Sequence, residues 1–456
     1  MSTERLAKFT TETKYRNIPQ NAVDVAKKAA LDYLGVAIAG SQEPAVTILS
    51  QQVRQMGAVG EAGVILGGFK TTADLAAWVN GTISHSLDYD DTFSTAAGYN
   101  MHPSVPIWPA VFALGEKHRV SGKDLLAAYI IGIEVESRIG VAIGKQNSDA
   151  GWHPTAVLGT IAAAAASASI LNLDVRQTQM ALGIASSLAS GLVRNFGTMT
   201  KPMHAGNAAR NGVIAAQLAR SGFTANGNIM EDEFSFCNLF SAGKVDQLGN
   251  AAADLGAVWH IVEKGLAFKP YPSCRATHAS IDAVLHLRQE LNIGADQVAA
   301  VACITSPKVD QFLKFPQPKN GYQGKFSMQY CVATALAKGK VTLDDFNDAQ
   351  LADATVQQLL PRINVVHPPE WATVSSLIQE VEIKLKNGKK YTRKVTAPKG
   401  DPDNPLTDAE LLAKFTDCAR LMLKTGALKK TRDLVLRIEE LKDVTELTEV
   451  LTGSRK

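Results

Sequence analysis

The spacing of apolar positions divides the chain into two regimes. From about residue 21 to residue 265 apolar residues recur mostly at helical spacing, in stretches rich in Ala and Leu. Val25 to Ile38 reads as a helix closed by Gly40, and Leu125 to Gly140 as another that begins near the capping residue Ser121. Gly159 to Leu171 carries small side chains on every face, which suits a helix packed closely on several neighbours. An all-helical first region is the expectation.

The period changes after Lys269-Pro270-Tyr271-Pro272, where two prolines break any helix and push the residues before them toward extended backbone. Beyond it a helix is predicted over Ser280 to Glu290 and a strand over Gln297 to Thr305. Glu380 to Lys386 alternates apolar and polar residues, meets Asn387-Gly388, and resumes as Lys389 to Thr396, which is a strong hairpin signal. Residues 266–403 are therefore expected to form a smaller α+β unit. Pro398 to Pro405 is a turn-rich linker, and Thr407-Asp408-Ala409-Glu410 is a capping box that opens a helical C-terminus.

Composition narrows the function classes. The 456 residues suffice for two or three domains, at roughly 150 residues each. Lys and Arg number 47 against 44 Asp and Glu, so the net charge of +3 offers no field for nucleic acid or an acidic membrane. The cysteines at 237, 274, 303, 331 and 418 are widely spaced with no C-x-x-C, which is expected of free thiols in a reducing compartment. The N-terminus has no apolar signal core, and the run Val157 to Leu171 is short of the ~20 residues a bilayer needs. A soluble, cytoplasmic protein with no nucleic-acid or membrane partner is the expectation. G-x-G-x-x-G between strand and helix, the phosphate-binding P-loop and G-x-S-x-G are all missing, so nucleotide and serine-hydrolase chemistry lose their usual support.

Candidate chemistry gathers in His85-Ser86-Leu87-Asp88-Tyr89-Asp90-Asp91-Thr92, with His102-Pro103-Ser104 shortly after. If Asp88 to Thr92 were helical, those two would share a face at i, i+4, with Asp90 and Asp91 pointing elsewhere as structural support. The cluster suits proton transfer or substrate binding; helix-end structure is the plainer reading. A metal is the third reading, but no second carboxylate–His group completes a shell. His153 precedes the Ala-rich helix, where the positive dipole end favours a neutral imidazole and an anionic ligand. Arg194 to Gly206 brings Arg194, Lys201 and His204 into a Gly-punctuated loop, and Lys269 to His278 repeats the combination with Arg275. Two such cationic loops favour a ligand with several negative charges.

In these segments the chain resembles the MmgE/PrpD family over essentially its whole length. The motifs that carry the resemblance are His85 to Thr92, His102-Pro-Ser, Gly151-Trp-His-Pro, Lys201-Pro-Met-His-Ala-Gly-x-Ala-Ala-Arg210, Lys269-Pro-Tyr-Pro-Ser-Cys and Asp403-Asn-Pro-Leu-Thr407. The resemblance implies a mainly α fold with an α+β part. A discontinuous all-helical domain (1–265 and 404–456) would carry an inserted α+β lid (266–403), usually in a homodimer. It implies 2-methylcitrate dehydration, cis-aconitate decarboxylation or iminodisuccinate epimerisation as the activity, without a metal or organic cofactor. The family's active-site positions fall on Asp88, Thr92, His102, His153, Lys201 and Lys269.

Within the family two positions steer the substrate reading. Decarboxylase-like members carry a tyrosine near where this chain has Phe312, and the methylcitrate dehydratases tend to carry Asn where it has Asp90. The first expectation is thus a metal-independent epimerase of an iminodisuccinate-type dicarboxylate. A lyase of the methylcitrate dehydratase or cis-aconitate decarboxylase type is the second, and a non-catalytic carboxylate-binding scaffold the third. Asp88, His102, His153 and Lys201 are assigned to proton transfer, with His153 or Lys201 as base and Asp88 paired with His102 as the opposing relay. Thr92, Arg194, His204, Lys269, Arg275 and His278 are assigned to substrate binding.

Overall fold

Three helices that cross almost in contact set the position of the site. In the computed structural model, which describes residues 1–93, 101–243 and 248–453, the helix Thr200–Arg220 lies against both Ala73–His85 and Pro154–Ile170. Small residues make the approach possible. A Cβ on Gly81 would sit 2.6 Å from the Cα of Gly206, and one on Gly212 would sit 2.4 Å from the Cβ of Ala163. Lys201 is the second residue of its helix, His85 the last of its own, and His153 the residue before Pro154. Close packing of the helices thereby brings three functional side chains to neighbouring helix ends.

The predicted elements form, mostly longer than their patterns. Val25 to Ile38 lies within Gln20–Gly40, and Leu125 to Gly140 within Gly122–Ile143, whose Asp124 N–H donates to Ser121 Oγ at 3.2 Å. The capping box also forms: Glu410 N–H donates to Thr407 Oγ1 at 3.2 Å, and Thr407 N–H to Glu410 Oε2 at 2.7 Å. The helix Asp408–Ala419 then returns to the N-terminal half. A Cβ on Gly35 would lie 3.1 Å from Phe415 Cα, and Lys414 Nζ pairs with the buried Asp32 at 2.6 Å. Leu411, Phe415 and Leu451 accordingly share one apolar interior with Leu6, Leu34 and Trp108.

A second interior is built from Cys274 to Leu385, joined by Val193 and Phe196. Its sheet runs Ile363–Val366, Val298–Ile304, Gln379–Leu385, Lys390–Val395; the first pair is parallel and the others antiparallel. The hairpin turns at Gly388, whose φ of 86° is one that glycine adopts without strain. His278–Leu291 and Met328–Lys338 pack together in this second interior. The architecture is mainly α with a smaller α+β part. No described helix is long and apolar enough to cross a membrane. All five cysteines are buried and none forms a disulfide.

Candidate active site

The helix Ala73–His85 stops where the chemistry begins. Asp88 adopts a left-handed φ of 52°, so the segment turns instead of continuing as a helix. For a non-glycine residue that conformation is unfavourable by roughly 1–2 kcal/mol, and three lysines hold it. Lys325 Nζ donates to the carbonyl of Ser86 at 3.3 Å, Lys269 Nζ to that of Asp88 at 2.7 Å, and Lys414 Nζ to that of Tyr89 at 2.8 Å. These lysines come from distant parts of the chain, so the loop is set by tertiary structure. Asp88 and Thr92 consequently do not share a helix face. Thr92 instead pairs with Ala267 in a short antiparallel ladder, fully buried.

Asp88 is the electrostatic hub. Its Oδ1 lies 2.6 Å from Lys201 Nζ, 3.3 Å from Lys269 Nζ and 3.7 Å from His102 Nε2. Burial would raise its pKa, but Lys201, Lys269 and His102 outweigh burial and hold the carboxyl well below the usual range. The carboxylate nearest to His102 is a different one: Asp90 Oδ2 sits 2.6 Å from His102 Nδ1. Asp90 also contacts His85 Nδ1 at 3.0 and 3.1 Å. Burial, opposed by Asp90, lowers His102, and the same balance takes His85 down to about 4.

His153 extends the group. Its Nδ1 lies 3.1 Å from Nδ1 of His204, and its ring stacks on His85 at a centroid distance of 6.0 Å. Burial, aided by Lys201, keeps His153 well below the ordinary histidine value, so it rests as the neutral imidazole a base must be.

A narrow cleft lies against these groups. Asp88, His102, His153 and Lys201 are among its polar lining residues, and Val193, Phe196, Phe312 and Phe326 among its apolar ones. Lys201 Nζ lies 5.1 Å from the ring centroids of both Phe196 and Phe326. A larger, more open cleft lies beside Tyr271 and Arg288, but its Lys399 is already paired with Glu410 at 3.0 Å and its Asp282 accepts from Tyr271 at 2.6 Å. The proton-transfer groups converge on the smaller one.

The structure brings all four assigned proton-transfer residues to the pocket and spreads the substrate-binding set. Arg275 reaches the lining, yet its guanidinium is held by Asp401 at 3.1 Å. Lys269 lies behind Asp88, fully buried, and His204 behind His153. His278 is turned inward: its Nε2 lies 3.2 Å from the carbonyl oxygen of Ser273. Arg194 is exposed and does not line the pocket, and neither does Thr92. The expected pairing of Asp88 with His102 is loose at 3.7 Å, because Asp90 takes the other ring nitrogen. Asp90, expected only as structural support, contacts both His85 and His102, and Lys325 was not expected at all. The five-residue spacing from His85 to Asp90 was a signal for the first; nothing local marked the second.

His85, Asp88, Asp90 and His102 each offer a ligand atom within 4.8 Å of the others. That spacing would suit a divalent ion, but the charges do not. Two ammonium groups already lie within 3.3 Å of the same Asp88 oxygen and would repel a cation there.

Residues 4–248 match the MmgE/PrpD N-terminal domain and residues 271–440 the MmgE/PrpD C-terminal domain. The chain belongs to the MmgE/PrpD family. It is 30% identical to the cis-aconitate decarboxylase of Mus musculus, across 99% of this chain and 93% of that protein. It is 28% identical to the cis-aconitate decarboxylase of Aspergillus terreus, across 95% and 92%. It is 24% identical to the 2-methylcitrate dehydratase of Cupriavidus necator, across 78% and 76%. The C-terminal match runs on to residue 440, although the helix Asp408–Ala419 within it packs in the first apolar interior.

Proposed function

We propose that the chain is a lyase that releases carbon dioxide from a small unsaturated tricarboxylate of the cis-aconitate type, using side chains alone for proton transfer. The observation that carries this reading is the two-sided pocket. Lys201 stands between the Asp88 carboxylate and two phenylalanine rings, where one carboxylate of the substrate can meet a cation while another is pressed against apolar surface. A carboxylate stripped of water there is destabilised, whereas departing carbon dioxide is neutral and is not. The carbon–carbon bond breaks heterolytically and its electron pair stays on the carbon, where the conjugated carboxylate held by Lys201 spreads the charge. A proton delivered from the His102 or His153 side completes the product. The decarboxylase names among the relatives support the same choice.

A second reading, loss of water from a 2-methylcitrate-type hydroxy acid, is favoured by one residue. Phe312 lines the pocket and donates no hydrogen bond, near where the family resemblance places a tyrosine in decarboxylase-like members. Epimerisation, the first expectation from sequence, needs an acid and a base on opposite faces of one carbon. The acid–base side chains here form one connected cluster around His85, and the relatives named above are lyases, so the lyase is placed first.

Proton NMR in deuterated buffer, with cis-aconitate, 2-methylcitrate and iminodisuccinate offered in turn, separates the readings. Decarboxylation with deuterium entering the product carbon is the expected result. Loss of water establishes the second reading, exchange with inversion restores the epimerase, and binding without conversion leaves a carboxylate-binding scaffold. A homodimer belongs to the same reading, and light scattering of the pure protein checks it.

A further inference from the structure

We propose that Asp90 is the positioning residue of His102: one buried carboxylate shared between two imidazoles, which fixes the nitrogen that His102 presents to the pocket. The inference rests on the proton-transfer role given to His102 above. Asp90 Oδ2 lies 2.6 Å from His102 Nδ1, and both its oxygens lie within 3.1 Å of His85 Nδ1. An ionised carboxylate only accepts, so both Nδ1 atoms carry the hydrogen and both Nε2 atoms carry the lone pair. His102 Nε2 is then the free base, on the side of Asp88 and the pocket. When it takes a proton, the imidazolium is stabilised by the Asp90 charge beneath it.

The second imidazole explains the arrangement. His85 is fully buried at the end of its helix, and its Nε2 has no hydrogen-bond partner among the described residues. It stays neutral, so it tethers Asp90 by donation without cancelling the charge that His102 uses. Its ring also sits edge-on to His102 at a centroid distance of 4.5 Å and limits rotation. The His102 Nδ1–H is poorly aligned with Asp90, so at 2.6 Å the contact acts chiefly through charge.

Several groups bear on His102 electrostatically. Asp90 and Asp88 favour its protonated form; Lys269, Lys201, His85 and His153 oppose it. His153 has no such carboxylate against its Nδ1, which faces His204 instead. The two imidazoles are therefore inequivalent: His102 is the one able to hold a proton, and His153 the one that stays neutral.

Histidine C2–hydrogen exchange followed by mass spectrometry, on the ligand-free protein as a function of pH, reads each imidazole separately. In the unaltered protein His102 is expected to titrate above both His85 and His153. In Asp90→Asn its proton affinity is expected to fall by about tenfold or more, one pH unit, while Asp90→Glu restores most of it. Turnover of cis-aconitate by Asp90→Asn is expected to drop by about 100-fold with a smaller change in KM. A His102 profile no higher than that of His153 in the unaltered protein overturns the proposal even where Asp90→Asn fails to fold. An unmoved His102 profile in a folded Asp90→Asn overturns it as well. The exchange measurement involves no substrate, so it stands or falls apart from the lyase reading.

Discussion

Lys201 Nζ donates to Asp88 Oδ1 at 2.6 Å, joining the start of one helix to the turn at the end of another. Substrate must compete with Asp88 for that ammonium, so a negatively charged group of the ligand can enter without a new unpaired charge being buried. Lys201→Ala removes the cation, and His153→Ala removes a neutral imidazole beside it. Each variant is expected to cut turnover of cis-aconitate by about 100-fold or more with circular dichroism unchanged. Near-normal turnover in both would remove these residues from the mechanism.

The parts of the site that were readable in sequence are those carried by local motifs. His153 before Pro154 and Lys201 in its Lys-Pro-Met-His motif are marked by their neighbours, although the loop expected as far as Gly206 is helical from Thr200 on, and close packing of small residues explains why those helix starts meet. The left-handed turn at Asp88 was not readable, because Lys269, Lys325 and Lys414 impose it from far along the chain. Asp90 was expected as structural support, but its partners were not readable for the same reason. Its role depends on where His102 folds back, and the helical reading of residues 88–92 pointed it elsewhere. In the α+β part the alternation around Asn387-Gly388 sufficed for the hairpin, but the parallel partner Ile363–Val366 is four residues long and was not anticipated.

Cation dependence offers an independent check. Because two ammonium groups already lie against Asp88, treatment with EDTA is expected to leave turnover unchanged. Activity that disappears with EDTA and returns with a divalent ion would show that His85, Asp88, Asp90 and His102 hold a metal after all.

Behind the site, Glu136 is wholly buried with no hydrogen-bond partner for either carboxylate oxygen among the described residues. Burial, reinforced by Asp91, raises its pKa well above 4.5. In the folded protein it therefore keeps its proton where the unfolded chain has released it. Stability contributed by the protonated form is complete below about pH 4.5 and is lost as pH rises toward the folded value. Glu136→Gln removes that loss without changing the shape of the side chain. Urea midpoints of the variant and the unaltered protein are expected to diverge in the variant's favour between pH 5 and pH 8. A difference that stays constant across that range would mean Glu136 is not a buried neutral acid.

The helix crossing that sets Lys201 can be tested without touching the pocket. A Cβ on Gly81 would meet Gly206 Cα at 2.6 Å and the Gly206 nitrogen at 3.0 Å, both backbone atoms that cannot swing aside. Gly81→Ala must push Thr200–Arg220 away from Ala73–His85, and overpacking of this kind costs about 1–3 kcal/mol. The displaced helix carries Lys201 and its partner carries His85, so turnover is expected to fall further than the loss of stability alone would explain. Gly426→Ala is the matching control. It is the exposed second residue of the helix Thr425–Leu436 with nothing within 4 Å of its Cβ, and it is expected to leave stability unchanged or slightly raised, with turnover unchanged. Thermal melts and initial rates on both variants decide the matter. Equal behaviour of the two would show that the contact between Gly81 and Gly206 neither supports the fold nor places the lysine.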